Sequence, residues 1–92
     1  MEHQRIHVIV KGKVQGVYYR ASTQEQAQAI GVTGWVRNLA NGDVEFEAQG
    51  TQAQLDSLLS WARRGPVHAR VDALVSHPSP LLTGELEFRV LR

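Results

Sequence analysis

Apolar residues recur along this chain with two different periods, and the switches between them mark its elements. From Arg5 to Lys11 the period is two, with Ile6, Val8 and Val10 on one side and His7, Ile9 and Lys11 on the other, which predicts a half-buried strand. A glycine-bearing stretch, Gly12 to Arg20, leads into a helix expected near Ser22, where Ser22 and Glu25 have the spacing of a capping box. Thr23, Ala27 and Ile30 then fall at helical spacing, and Gly31 suits the left-handed position just past a helix end. Val32 to Leu39 and Asp43 to Gln49 read as two strands joined through Ala40-Asn41-Gly42, because an Asn-Gly pair between strands favours a hairpin. Val44, Phe46 and Ala48 share one face of the second of these, and Glu45 and Glu47 share the other. One face of the sheet is therefore expected to be covered and the other solvated.

Gly50 is expected to break that strand. Thr51 and Gln54 again have capping-box spacing, and Leu55, Leu58, Leu59 and Ala62 form the stripe of an amphipathic helix. Gly65-Pro66 stops it, with Arg63 and Arg64 in the last turn, where the helix dipole favours cations. Ala69 to Ser76 predicts a fourth strand, with Val71, Ala73 and Val75 opposite Asp72 and Leu74. Pro78 and Pro80 make His77 to Gly84 a loop, and Glu85 to Leu91 a short edge strand carrying Leu86, Phe88 and Val90 on one side. The order β-α-β-β-α-β plus a terminal strand predicts an α/β (α+β) two-layer sandwich of the ferredoxin-like kind. It has a four- to five-stranded, mainly antiparallel sheet with two helices on one face. Many functions use this architecture, so function must be read from a site.

Composition narrows the field. The 92 residues suit a single domain, and 42% hydrophobic residues can bury a modest core. Ten Lys/Arg against nine Asp/Glu leave a net charge of +1, so no strong field draws nucleic acid or a membrane surface. With no cysteine, disulfides, thiolate metal sites and a cysteine nucleophile are excluded, which agrees with a cytoplasmic location. Met1-Glu2-His3-Gln4-Arg5 is polar, and no apolar run approaches the length of a signal or spanning segment.

Against that background Gly12-Lys13-Val14-Gln15-Gly16-Val17-Tyr18-Tyr19-Arg20 stands out. A turn from a strand into a helix N-terminus leaves backbone N–H groups without intrahelical partners, and the helix dipole adds positive potential there. Such a place suits phosphate. Arg20, a cation near the helix start, opposes the dipole unless an anion occupies the loop. Other motifs are missing. No Gly-Lys-Ser/Thr closes the loop as in a Walker A motif, and His3, His7, His68 and His77 lack metal-ligand spacing. The strand Asp43 to Ala48 has an acidic outer face without the aromatics of an RNA-binding strand, and Trp35 and Trp61 read as packing residues.

Two stretches resemble signatures of the acylphosphatase family. Val10-Lys11-Gly12-Lys13-Val14-Gln15-Gly16-Val17-Tyr18-Tyr19-Arg20 is similar to the first, with Tyr19 where the family usually has Phe. Gly34-Trp35-Val36-Arg37-Asn38, then Gly42, Val44 and Gly50, meet the second throughout, and Gly65 to Asp72 resembles the family's segment after the second helix. The resemblance implies an enzyme that hydrolyses acyl phosphates to a carboxylate and inorganic phosphate. By matching positions, the phosphate would be held by the backbone of Gln15, Gly16, Val17, Tyr18 and Tyr19 and by the side chain of Arg20. Asn38 would position the attacking water.

This inventory fits the implied chemistry. The leaving carboxylate belongs to an acid with a pKa of roughly 4 to 5, so it departs unprotonated and needs no general acid. Phosphoryl transfer then asks mainly for positioning and for stabilisation of charge, which N–H donors and a guanidinium supply without metal or other cofactor. Val14 precedes Arg20 at the spacing of a Cys-x5-Arg phosphatase loop, with an inert side chain in place of the nucleophile, so water is expected to attack directly. The expected partners are a small-molecule acyl phosphate and, as product-like ligands, phosphate or sulfate; nucleic acid and membrane are not expected, and the expected state is a monomer. The alternative is a non-catalytic ferredoxin-like module that binds or senses an anion. Carbamoyl phosphate, acetyl phosphate and 1,3-bisphosphoglycerate all stay open as substrates.

Overall fold

A computed structural model describes residues 2–91; Met1, which opens the polar stretch noted above, and Arg92 lie outside the described residues. The elements are β1 (Gln4–Lys13), α1 (Tyr19–Ile30), β2 (Thr33–Asn38), β3 (Val44–Gly50), α2 (Gln52–Ala62), β4 (Arg70–Ser79) and β5 (Phe88–Val90). They form one five-stranded sheet of order β4-β1-β3-β2-β5. Three of its pairings are antiparallel, and β5 lies parallel to β2. Because β3 sits between β1 and β2, the first crossover is a split βαβ unit and the fold is ferredoxin-like.

Alternation explains the two layers. Val8 and Val10 of β1, Val36 of β2 and Val44, Phe46 and Ala48 of β3 share one face and are fully buried. Tyr19, Thr23 and Ala27 of α1 and Leu55, Leu58 and Ala62 of α2 close on that face, so both helices lie on one side of the sheet. The α2 capping box forms as expected: the Thr51 hydroxyl accepts from the Gln54 N–H, and the Gln54 side chain accepts from the Thr51 N–H. Gly31 takes its left-handed position and donates to the Ala27 carbonyl at 2.8 Å. In the hairpin after β2, the Leu39 N–H donates to the Asp43 carbonyl at 2.8 Å and the Asp43 N–H to Asn41 Oδ1 at 3.0 Å.

Several expectations are corrected. The first helix starts at Tyr19, not at Ser22; Tyr18 is its N-cap residue, no side chain caps it, and Ser22 is already bonded to the Tyr18 carbonyl at 2.9 Å. Gly50 ends β3 inside the ladder, paired with Gln4. Arg63 and Arg64 lie just past α2. β4 continues through Pro78 to Ser79, because it is an edge strand on which a missing N–H leaves only a solvent-facing gap. Its half-buried residues are Val71, Leu74 and the terminal Ser79, while Ala73 and Val75 are exposed. The register shift at Lys11/Gly12 leaves Asp72 unpaired and reverses the alternation. A Cβ on Gly12, with φ of 130°, would stand 2.2 Å from the Arg70 carbonyl oxygen, so only glycine fits this bulge. β5 is short, and Leu86, expected on its inner face, is exposed.

The outer face of the sheet is more nearly neutral than its glutamates suggest. Arg5, only 2% exposed, donates to Glu47 at 2.6 Å and to Glu85 at 2.8 Å, joining β1, β3 and the loop before β5. Burial works to lower its pKa, but the hydrogen bonds and charges of Glu85 and Glu47 outweigh that and raise it. Glu45 is held between His7 Nε2 and Arg37 Nε, each at 2.6 Å. Burial pushes its carboxyl up, yet the bonds from His7 and Arg37 prevail and hold it below the usual carboxylate range. Trp35 lies on this face under the Arg37 guanidinium, and Trp61 packs beside Tyr19, so neither offers a free stacking platform.

Candidate active site

Val14 to Tyr18 connect β1 to α1. Val14 and Val17 are buried and pin the connection to the core, while Gly16 and Tyr18 face outward. φ is positive at Gly16 (74°) and Tyr18 (66°) and at neither residue preceding them, an alternation that turns successive N–H groups toward a common concavity. A Cβ on Gly16 would meet nothing within 4 Å, so glycine serves the backbone turn there and not a tight contact. Among the described residues, no backbone or side-chain acceptor takes a hydrogen bond from the N–H groups of Gln15 to Tyr19. Donors left this way at a helix start need water or a ligand.

Arg20 is the second residue of α1 and is half-buried. Its Nη1 donates to the Leu91 carbonyl at 3.2 Å, and Leu91 is itself tied to β2 by its N–H to the Val36 carbonyl at 2.8 Å. Among the described residues Arg20 has no carboxylate partner. Asn38 ends β2 opposite Val44, and its Oδ1 is buried without a hydrogen-bond partner. Gln15 steadies this end of the sheet: its Nε2 donates to the Leu39 carbonyl at 2.7 Å and to the Asp43 carbonyl at 2.8 Å. The loop and the hairpin that follows Asn38 are thereby clamped together.

A cavity of about 520 Å³ opens between them, lined by Val14, Gly16, Tyr18, Tyr19, Arg20, Ala21, Asn38 and Val90. Of the residues singled out in the sequence, Gly16, Tyr18, Tyr19, Arg20 and Asn38 border it directly; Gln15 and Val17 lie in its loop. Tyr19 turns its ring into the core, where its hydroxyl donates to the Ala62 carbonyl at 2.6 Å and burial pushes its pKa well up. The Gln15 side chain, the Leu91 carbonyl, Ala21 and Val90 were not found from sequence. Gln15, Leu91 and Val90 depend on neighbours distant along the chain, which no local pattern announces. Ala21, beside Arg20 in the first turn of α1, carries no side-chain polar atom to signal a role.

Unpaired amides, a guanidinium with no carboxylate partner among the described residues and an amide oxygen lacking a donor suit a phosphate-sized anion with a polar group beside it. The protein is thus a small α+β protein built to handle phosphoryl groups. Residues 6–90 match the acylphosphatase family model. The chain is 52% identical to the acylphosphatase of Methylococcus capsulatus over 90 residues, covering 97% of each protein. Its fold is similar to an acylphosphatase from Coxiella burnetii (TM-score 0.90, 38% identity, 97% of this chain and 93% of that one). It is similar also to acylphosphatase from Bacillus subtilis (TM-score 0.92, 30% identity, 99% of this chain and 100% of that one). The chain belongs to the acylphosphatase family, and its activity is the hydrolysis of acyl phosphates.

Proposed function

We propose that the phosphoryl group of the substrate sits in the connection between β1 and α1, held by the N–H groups of Gln15, Gly16, Val17, Tyr18 and Tyr19 and by the Arg20 guanidinium. The Leu91 carbonyl engages one nitrogen of Arg20 and leaves donors of its fork for phosphoryl oxygens. Asn38 aims the attacking water. Asn38 lines the same cavity as Arg20, and its buried, orphaned Oδ1 is the observation that carries this reading, because a buried acceptor without a donor is costly unless water or substrate supplies one. Water accepted there presents its lone pair to phosphorus, opposite the departing carboxylate.

Charge building on the equatorial oxygens meets donors already in place, each worth about 3 to 4 kcal/mol of barrier. The carboxylate needs no proton, so neither a general acid nor a metal ion is required. Val14 stands in the cavity wall where a phosphatase of the thiol type would carry its nucleophile. It has no nucleophilic atom, which supports direct attack by water on phosphorus. The whole chain then acts as a single-domain, monomeric, cytoplasmic enzyme on small-molecule acyl phosphates, without cofactor and without nucleic-acid or membrane partners, and takes inorganic phosphate or sulfate as product-like ligands. Among the described residues, no helix is long and apolar enough to cross a membrane.

Loss of benzoyl phosphate absorbance in the presence of EDTA tests metal independence, with undiminished turnover expected. A single turnover in ¹⁸O-water should place the label in phosphate. A phosphorylated side chain trapped on the protein would overturn the direct route.

A further inference from the structure

The cavity is much larger than a phosphoryl group. At about 30 Å³ per water, a group taking the space of about three waters fills about 90 Å³, a small part of the 520 Å³ present. Most of the remaining wall is apolar: Tyr18, the N-cap residue of α1, and Ala21 of its first turn both line it, and Val90 comes from β5. Arg20 is the one charged residue among those lining the cavity, and the phosphoryl group engages it.

Tyr18 is the informative member. It is the one non-glycine residue with positive φ among the described residues, a conformation that disfavours any side chain. The residue is 82% exposed, its side chain makes no hydrogen bond among the described residues, and it is absent from the core cluster. A glycine would hold that backbone with less strain, so neither the backbone nor the core accounts for an aromatic ring at the cavity mouth. Val90, on the edge strand, is placed beside Val36 by the parallel pairing and is 38% exposed.

We propose that Tyr18, Ala21 and Val90 form the subsite for the acyl half of the substrate, and that this subsite selects uncharged aromatic or bulky apolar acyl groups over acetyl and carbamoyl. The proposal rests on the phosphate-cradle reading above. With the phosphoryl group fixed by the loop amides and Arg20, the carbonyl carbon and its substituent extend along the Tyr18 and Val90 wall. An aromatic acyl group stacks or meets the ring edge-on and removes apolar surface from water. An acyl group with a second anionic centre finds no further cation on the lining.

The test compares kcat/KM for benzoyl phosphate and acetyl phosphate in the wild type, Tyr18→Ala, Tyr18→Phe and Val90→Thr, the ratio of the two substrates being the readout. The wild type should favour benzoyl phosphate. Tyr18→Ala should lower the ratio about five- to tenfold and Val90→Thr about two- to threefold, while Tyr18→Phe, which keeps the ring, holds the wild-type ratio. An unchanged ratio in Tyr18→Ala and Val90→Thr, or a wild type that favours acetyl phosphate, overturns the acyl subsite. Inorganic phosphate should compete with both substrates in the wild type. Absence of that competition strikes the cradle reading instead, so the two failures are told apart.

Discussion

The hydroxyl of Tyr19 donates to the carbonyl of Ala62 at 2.6 Å, fastening the first turn of α1 to the last residue of α2. Ala62 belongs to the turn whose carbonyls have no intrahelical partner. The tyrosine that departs from the family's usual Phe therefore satisfies a helix end and braces the connection between β1 and α1. Removing it with Tyr19→Phe leaves a buried carbonyl unpaired and should cost about 1 to 3 kcal/mol of stability, read as a lower urea midpoint at an unchanged slope.

Asn38→Ala removes the orphaned Oδ1 and the amide of a residue that lines the cavity. Turnover of benzoyl phosphate should fall by roughly 10²- to 10³-fold, the size of effect seen when one positioned polar group is deleted from a reaction centre. Competitive inhibition by phosphate should stay close to that of the wild type. If inhibition weakens as much as turnover does, Asn38 binds the anion rather than the water.

Arg20→Gln keeps a polar side chain but loses the charge and the planar fork. Both turnover and phosphate affinity should drop, by roughly 10²-fold or more in kcat/KM, with far-ultraviolet circular dichroism and melting temperature little altered. Wild-type phosphate affinity in this variant would falsify the cradle.

Arg5 lies on the outer face, away from the cavity, and two glutamates depend on it. Arg5→Met should destabilise the fold by about 2 to 4 kcal/mol, somewhat under the full cost of breaking a buried pair, since both glutamates are partly wetted. The double variant with Glu85→Gln should recover part of that loss, which a two-mutant thermodynamic cycle would detect.

Glu45 has a carboxyl whose folded-state pKa lies below its unfolded value. A group shifted in that direction stabilises the fold above the unfolded pKa, near the ordinary glutamate range, and loses this contribution as pH falls through the lower folded value. Glu45→Gln should therefore be less stable than the wild type at neutral pH, with the two melting temperatures converging in acid. A constant gap down through the carboxylate range would refute the assignment.

Much of this architecture was legible in the chain because its cues are local. The alternation of Val8 and Val10, and of Val44, Phe46 and Ala48, needs only the geometry of a strand, and the Thr51-Gln54 box needs only one turn of helix. Failures came where a distant partner outweighed a local cue. Ser22 and Glu25 have capping spacing, yet the buried Tyr19 draws the helix start forward, and Ser22 bonds to the Tyr18 carbonyl. Pro78 reads as a loop residue, but on an edge strand it still pairs with Ile6.

The sequence by itself determined the order of elements, the covered face of the sheet and, through two signatures, the family and its reaction. Those features depend on backbone periodicity and on residue types within a few positions of one another. Only the tertiary structure decided that Asn38 and Arg20 share a cavity, that Gln15 clamps the loop to the hairpin, and that Val90 completes the wall beside Tyr18. These relationships arise when β5 pairs with β2 and β3 inserts between β1 and β2. Contacts made across such pairings leave no periodic trace along the chain.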